Sequence, residues 1–527
     1  MYPYCLKYLT NGLRSKQMIN FLCIQNILSA RTLKICRFRF LPTPSHPTHK
    51  MAQETRAISS ISEAANKRAR KLSKRRAKKP VEEGSSGHVL LLEIENLIEK
   101  PVLANVPFER FQEIEVKISY LSSSGDGIGL VCNDQYAVVV PFTLPGDIVK
   151  AKLHFLADTY ALADFLEVIS PSEDRDDTLI KCPYFAKCGG CQYQMLSYDK
   201  QLLQKKRVVE KAFQYYSKLD SSLLPAIKDT VGSPLQYNYR TKITPHFDVP
   251  KGGTKGPLII GFQEKGRRRV MDIEECPIAT KTINEEYPKI IEDVQSRANT
   301  FKRGATILMR DSATEDGKHC VITDHKMIVR EQFGDLSFTF PAGAFFQNNN
   351  SILEKFTSYV REQLLNPFGR KEHQRPKYFV DAYCGSGLFS VACSKGFLSV
   401  IGVEISADSV RYAEENAKRN NVSNATFIVG QAEKIFSSIE TPPNETAMVI
   451  DPPRKGCDQS FLNQLLEYSP YRIVYISCNV HTQARDVGFL LSQEKGRSYK
   501  IDEIRGFDLF PQSHHVESIL TLTKVVS

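Results

Sequence analysis

The sequence predicts an α/β protein: a Rossmann-like, doubly wound sheet in its C-terminal third, preceded by a small β-barrel and a β-rich central region. Three observations predict this. From residue 346 onward, apolar runs at 378–381, 400–404, 426–429, 447–451 and 473–477 alternate with segments of helical length, the pattern of strands joined by crossover helices. Residues 101–170 alternate apolar and polar side chains, as in Ile114-Glu115-Val116-Lys117-Ile118, with turns at Gly125-Asp126-Gly127 and Leu144-Pro145-Gly146-Asp147. Short strands at that spacing predict a small barrel, a form often used on RNA. Between them, residues 171–345 carry a cysteine cluster, a predicted helix at 198–216, and strands near 239–248, 258–263, 305–309, 319–323 and 327–330.

The 527 residues leave room for several domains with ample core. The net charge of +11 belongs to one end: residues 1–80 hold 18 Lys and Arg against two acids, and the remainder is slightly acidic. A nucleic-acid surface in the body must therefore be a local patch. Residues 1–85 are expected to be a basic, largely disordered extension. Its first 50 residues contain no acid, like a mitochondrial leader. Nine of the thirteen residues at 67–79 are basic, which suits a nuclear address, a nucleic-acid arm or a solvated run. Met51 offers a second start, so the expected location is the mitochondrion, the nucleus or cytoplasm, or both. Thirteen unevenly spaced cysteines suit a reducing compartment with metal or catalytic roles. No apolar run of membrane-spanning length is found, and nothing indicates a coiled coil; a monomer is expected.

In Asp381-x-x-Cys384-Gly385-Ser386-Gly387 a glycine turn closes a strand and opens a helix, leaving room for a ligand backbone. Glu404 ends the next strand, where it can accept hydrogen bonds from ribose hydroxyls. The missing third glycine argues for S-adenosylmethionine rather than NAD; an ordinary tight turn is the competing reading. Asp451-Pro452-Pro453-Arg454 forms a rigid loop at the fourth strand end, suited to one wall of a pocket for an extruded base. Cys478 ends the fifth strand, facing that loop, and is the candidate nucleophile; Glu517 is the candidate base. Cys384, Cys393 and Cys457 read as packing or loop residues. Phe345-Phe346-Gln347 places an aromatic pair beside an amide, able to contact a cofactor or simply to fill a core. Arg240, Lys242, Arg267, Arg268 and Arg269 are candidates for RNA phosphates. Cys182, Cys188 and Cys191, with Cys276 downstream, have the spacing of [4Fe–4S] ligands. Four-cysteine zinc is the alternative.

In this order, these constellations resemble the RNA uracil-5-methyltransferase family over residues 105–525. The residues that carry the likeness are the C-x5-C-G-G-C…C-P set, Tyr239-Arg240-x-Lys242, Phe346-Gln347-x-Asn349, Asp381-x-Tyr383-Cys384-Gly385-x-Gly387, Asp451-Pro452-Pro453-Arg454-x-Gly456, Ser477-Cys478-Asn479 and Phe510-Pro511-x-Ser513-x-His515-Val516-Glu517. The resemblance implies a class I S-adenosylmethionine-dependent methyltransferase domain over 346–527, a TRAM-like RNA-binding barrel over 101–170 and a central iron–sulfur region over 171–345. It makes Cys478 the nucleophile, Glu517 the proton acceptor, and Gln347, Tyr383, Glu404 and Asp451 contacts of S-adenosylmethionine. It implies methyl transfer to C5 of a uridine in RNA, uridine 54 of the tRNA T-loop first. The same reaction on ribosomal RNA, and an RNA-binding or tRNA-folding role without chemistry, are the rivals. Val480, Ala382 and Ser513 depart from the family pattern, and none of the three is a reacting group.

Overall fold

The computed structural model describes residues 82–98, 106–249, 256–366, 375–430, 436 and 439–525. The predicted acid-free leader, Met51 and the basic run at 67–79 lie outside the described residues. The first described element, helix α1 (Ser86–Leu97), begins where Ser85 caps it by accepting from His88 N–H. The helix was not anticipated.

Six strands follow: β1 (Glu113–Lys117), β2 (Tyr120–Leu121), β3 (Gly127–Val131), β4 (Tyr136–Val140), β5 (Ile148–Leu156) and β6 (Tyr160–Ser170). They pair in the order β1-β5-β6-β4-β3-β2. The sheet curls until β3 touches β1: a Cβ on Gly129 would stand 2.6 Å from the Lys117 carbonyl oxygen, so only glycine fits. Inward residues such as Val116, Val138, Val149 and Leu153 fill the resulting core. Helix α1 spans two cores. Its Ile94 packs with Ile128, Ala137 and Val139 of the barrel, and its Val89 joins the core of the large C-terminal sheet.

Next come α2 (Tyr198–Tyr216) and β7 (Lys228–Val231). The central region adds short antiparallel strands, among them 309–313, 319–322, 328–333 and 336–341, and helix α3 (Lys281–Ser296). The catalytic region holds α4 (Leu353–Leu365), β8 (Tyr378–Ala382), α5 (Leu388–Ala392), β9 (Ser399–Glu404), α6 (Ala407–Arg419), β10 (Ala425–Val429), β11 (Thr446–Ile450), α7 (Gln459–Tyr468), β12 (Arg472–Ser477), α8 (Val480–Ser492), β13 (Tyr499–Phe507) and β14 (Glu517–Lys524). The strand order is β10-β9-β8-β11-β12-β14-β13-β7. Strands β8 to β12 run parallel, and β14 returns antiparallel beside β12.

Period-two alternation sends neighbouring residues to opposite faces. Val380, Met448, Ile450, Ile473 and Tyr475 meet α2, α7 and α8 on one face. Phe379, Ala447, Val449, Val474 and Ile476 meet α4, α5 and α6 on the other. This is the predicted doubly wound sheet. One boundary differs from expectation. Helix α2, expected in the central region, packs on this sheet, because Val209, Ala212 and Phe213 need its apolar face for cover, and the unpredicted strand β7 joins the sheet's edge.

Candidate active site

The register of the sheet gathers the predicted residues on one edge. Ser477 of β12 pairs with Ser518 of β14. Continuing that antiparallel register by one residue sets Cys478 across from Glu517. Asp451 follows the last residue of β11, Tyr383 follows β8, and Glu404 closes β9. Cys478, Asp451, Tyr383 and Glu404 stand at the carboxyl ends of adjacent parallel strands, where open α/β sheets receive ligands, and Glu517 joins them as the first residue of the antiparallel β14.

On the β9 side, Gly385 N–H donates to Glu404 Oε2 at 3.2 Å, and Ser406 N–H donates to Oε1 at 2.9 Å. Each carboxylate oxygen keeps a lone pair for a further donor. Gly385 has φ +54° and open space where a Cβ would stand, so a ligand can approach the backbone there. Tyr383 also has φ +65°, unusual for a non-glycine residue, and its ring lies 5.4 Å from that of Phe461. Strained backbone, glycine turn and strand-end acid together fit a nucleoside cofactor. Gln347 is buried at the entry to this region. The aromatic pair beside it divides: Phe346 stacks 4.5 Å from Phe340 in the core, and Phe345 is 76% exposed. The core reading is therefore right for Phe346.

On the β12 side the electrostatics are those of a crowded, dry site. Burial, and then the charge of Glu517, push the Cys478 thiol up to about 12, while the Arg454 guanidinium opposes both and hydrogen-bonds it. Burial, and then Asp451, hold the Glu517 carboxyl well above the usual range. Asp451 is itself raised to about 7 by burial and then by Asp381. Three carboxyl groups this close do not all ionise together. Glu517 Oε2 meets no hydrogen-bond partner among the described residues. A cavity of about 100 Å³ opens here, and its walls include Cys478, Arg454, His515, Ser123 and Val89.

Arg454, His515 and the Gly84–Val89 segment were not singled out from sequence as site residues. The Asp-Pro-Pro-Arg motif was a usable signal for Arg454. For Gly84–Val89 there was none: Asn479 Nδ2 reaches the Gly84 carbonyl at 3.2 Å across hundreds of residues. Asp381 Oδ2 accepts from Ser390 N–H at 2.8 Å and from Ser390 O–H, fastening α5 to β8. Arg267 is engaged with Asp164 of the barrel at 2.5 Å, and Arg269 lies 3.6 Å from Glu264, which narrows their availability for phosphates.

Cys182, Cys188, Cys191 and Cys276 are free thiols brought into electrostatic reach of one another. Burial, then the charges of Cys276 and Cys188, raise Cys191 well above its usual range, and Cys276 is pushed to about 12. Among the described residues, however, no three such side chains stand in metal-holding geometry. Cys384, Cys393 and Cys457 are buried in packing positions, as expected. Among the described residues no helix is long and apolar enough to cross a membrane.

An acid at the second strand end beside a glycine turn, in a doubly wound sheet, fits the class of S-adenosylmethionine-dependent methyltransferases. The cysteine set across from a glutamate narrows the class to enzymes that can attack their acceptor covalently. Comparison with known proteins agrees. The sequence model of the tRNA (uracil-5-)-methyltransferase family matches residues 281–525, and that of the TRAM domain matches 107–166. The tRNA (uracil(54)-C(5))-methyltransferase of Saccharomyces cerevisiae is 40% identical over 91% of this chain and 88% of its own. An uncharacterised RNA methyltransferase of Clostridium acetobutylicum is 30% identical over 80% of this chain and 99% of its own. The crystal structure of the Pyrococcus abyssi tRNA (uracil-54, C5)-methyltransferase with S-adenosyl-L-homocysteine shares the fold: TM-score 0.59, 23% identity, 78% of this chain and 99% of that one. The chain belongs to the tRNA (uracil-5-)-methyltransferase family.

Proposed function

We propose that this protein methylates C5 of a uridine in tRNA, at the position named for the yeast relative, uridine 54. The observation that carries the proposal is the cross-strand placement of Cys478 and Glu517 at the edge that also holds Glu404 and Asp451. Uracil C5 is a poor nucleophile until a thiolate adds to C6. Cys478 Sγ forms that bond, and C5 gains enolate character. Bound along Gln347, Tyr383, Glu404 and Asp451, S-adenosylmethionine supplies an electrophilic methyl carbon. Once C5 is methylated, Glu517 takes the C5 proton, the C6–S bond breaks and the thiolate returns. Arg454 stabilises that thiolate against the surrounding acids. An extruded base matches the small cavity at Cys478, and a tRNA loop lowers the cost of extrusion.

The test is trapping with T-loop RNA carrying 5-fluorouridine, since fluorine at C5 cannot leave as a proton. A denaturation-resistant adduct that Cys478→Ala abolishes is expected. An adduct on ribosomal RNA alone would move the substrate; none on either would favour an RNA-binding role.

The four clustered cysteines support a [4Fe–4S] cluster in a structural or RNA-positioning role. Iron and acid-labile sulfide in anaerobically purified protein are expected; stoichiometric zinc instead would replace the cluster. We propose that the enzyme works in the mitochondrion, in the nucleus or cytoplasm, or in both through a second start at Met51, and that it is a monomer. Tagged Met51→Ala protein confined to mitochondria would agree, and sedimentation as a dimer would refute the monomer.

A further inference from the structure

The loop leading into Glu517 is held mainly by residues that precede residue 346 in the chain, some in the central region and some on α2. Gln192 and Tyr193 N–H both donate to the Gln512 carbonyl, at 2.9 and 3.0 Å. Gln192 Oε1 accepts from His514 N–H at 3.2 Å and lies 3.0 Å from His514 Nδ1. Its Nε2 donates to the Gly189 carbonyl at 2.9 Å, between Cys188 and Cys191. Gln512 N–H donates to Gln201 Oε1 at 3.1 Å, Gln201 Nε2 returns a bond to Gln512 Oε1 at 3.0 Å, and Tyr239 O–H donates to the Pro511 carbonyl at 3.0 Å.

The grip has strain to overcome. Gln512 sits at φ +70°, a left-handed backbone that glutamine adopts only when its surroundings over-determine it. Gln192 is 2% exposed. A Cβ on Gly125 of the barrel would stand 3.0 Å from both Gln192 Cβ and His514 Cβ, so the barrel closes the third side. The nucleophile is held by other means: Asn479 Nδ2 bonds the Arg454 carbonyl at 2.9 Å, within the catalytic region.

We infer that Gln192 is a positioning residue for proton removal. It sets loop 512–515, hence the first residue of β14, Glu517, and leaves Cys478 attack and methyl transfer largely to residues of the catalytic sheet. This rests on the proposed uracil-C5 reaction. A general base must lie within hydrogen-bond reach of its proton, and a shift of about 1 Å can cost on the order of a hundredfold. The same amide binds the carbonyl between two cluster cysteines, so the cysteine loop is coupled to the base rather than to the nucleophile.

The experiment compares full-length Gln192→Leu, His514→Ala and His514→Asn with the unaltered protein. Four quantities are measured: S-adenosylhomocysteine affinity, adduct formation on 5-fluorouridine T-loop RNA, turnover on ordinary T-loop RNA, and tritium release from 5-tritiated uridine. Gln192→Leu is expected to keep cofactor affinity and 5-fluorouridine adduct formation within about threefold of the unaltered protein. Turnover and tritium release should fall at least tenfold. A methylated covalent adduct should accumulate on ordinary RNA, its C5–H and C6–S bonds both intact. His514→Ala should match it, and His514→Asn, whose amide can donate to Gln192 Oε1, should restore release.

Equal losses of adduct formation and release, or no loss of either, would overturn the inference. If Gln192→Leu loses cofactor binding, the His514 pair decides: failure of asparagine to rescue overturns it. No 5-fluorouridine adduct with the unaltered protein would sink the reaction reading itself.

Discussion

The two halves of the catalytic edge are built differently. On the β9 side each ligand-facing group stands on the strand or turn that its own motif forms, and Gly385 N–H meets Glu404 only 19 residues away. On the β14 side the loop before Glu517 is fastened by partners about three hundred residues distant: Lys205 to Asp508 (303), Gln201 to Gln512 (311) and Gln192 to His514 (322). The cofactor half is thus nearly a property of the sheet, whereas the base half exists only once the N-terminal regions have docked. Disturbing one half should leave the other's readout largely in place.

The largest effect should come from Cys478→Ala, which lies where the halves meet. Turnover should fall by about a thousandfold or more, with no 5-fluorouridine adduct and with cofactor affinity retained. Lost cofactor affinity would show that the halves are not separable.

Lys205→Met comes next. Lys205 and Asp508 are both fully buried, and Lys205 Nζ also donates to the Phe510 carbonyl at 2.9 Å. Removing one partner of a buried ion pair costs about 3–5 kcal/mol. Urea unfolding should show that loss, together with reduced turnover. An unchanged midpoint would mean that the loop does not depend on α2.

Glu404→Gln should weaken S-adenosylmethionine binding by about ten- to a hundredfold, the value of charge-assisted hydrogen bonds at about 1.5–3 kcal/mol. The 5-fluorouridine adduct should still form at saturating cofactor. Calorimetry that finds affinity unchanged would remove Glu404 from the cofactor site.

A smaller effect concerns pH. Asp451, raised to about 7, is neutral below that value and anionic above it. A sulfonium cation favours the anion, so S-adenosylmethionine affinity should rise as pH climbs from 6 to 8, by at most about tenfold. S-adenosylhomocysteine, which lacks the sulfonium charge, should show a flatter profile, and Asp451→Asn should flatten both. Parallel slopes for the two ligands would place the titrating group elsewhere.

The smallest effect is on thiol reactivity. Glu517 raises the Cys478 pKa and Arg454 lowers it. At pH 9, iodoacetamide should alkylate Cys478 a few-fold faster in Glu517→Gln and a few-fold slower in Arg454→Ala. Shifts of the same sign in both variants would exclude electrostatics as the cause.

Legibility in the sequence follows the same division. The strands at 378–382, 399–404, 446–450 and 472–477 announce themselves as apolar runs because both faces of a parallel sheet are covered. Helix α2 was readable from its amphipathic pattern over 198–216, but its partner was not, since an apolar stripe does not name the surface that covers it. Phe346 and Phe345 look alike in sequence and part in the fold, one into the core and one 76% exposed. The four cysteines announced a common neighbourhood and reached it, while ligating geometry depends on side-chain directions that spacing does not encode.

By itself the sequence determined the doubly wound sheet and the barrel, and it named Cys478, Glu517, Glu404 and Asp451 as the candidates that the proposed reaction uses. The strands and motifs behind these readings are each written in a short local stretch, where backbone propensity and local side-chain chemistry act. Tertiary structure alone decided that Cys478 faces Glu517, because register is a relation between two strands and a one-residue slip would turn every side chain to the other face. It alone decided that α1 walls the pocket and that Gln192 holds the loop before the base. Such contacts close loops of hundreds of residues, an entropic cost met only after the cores have formed.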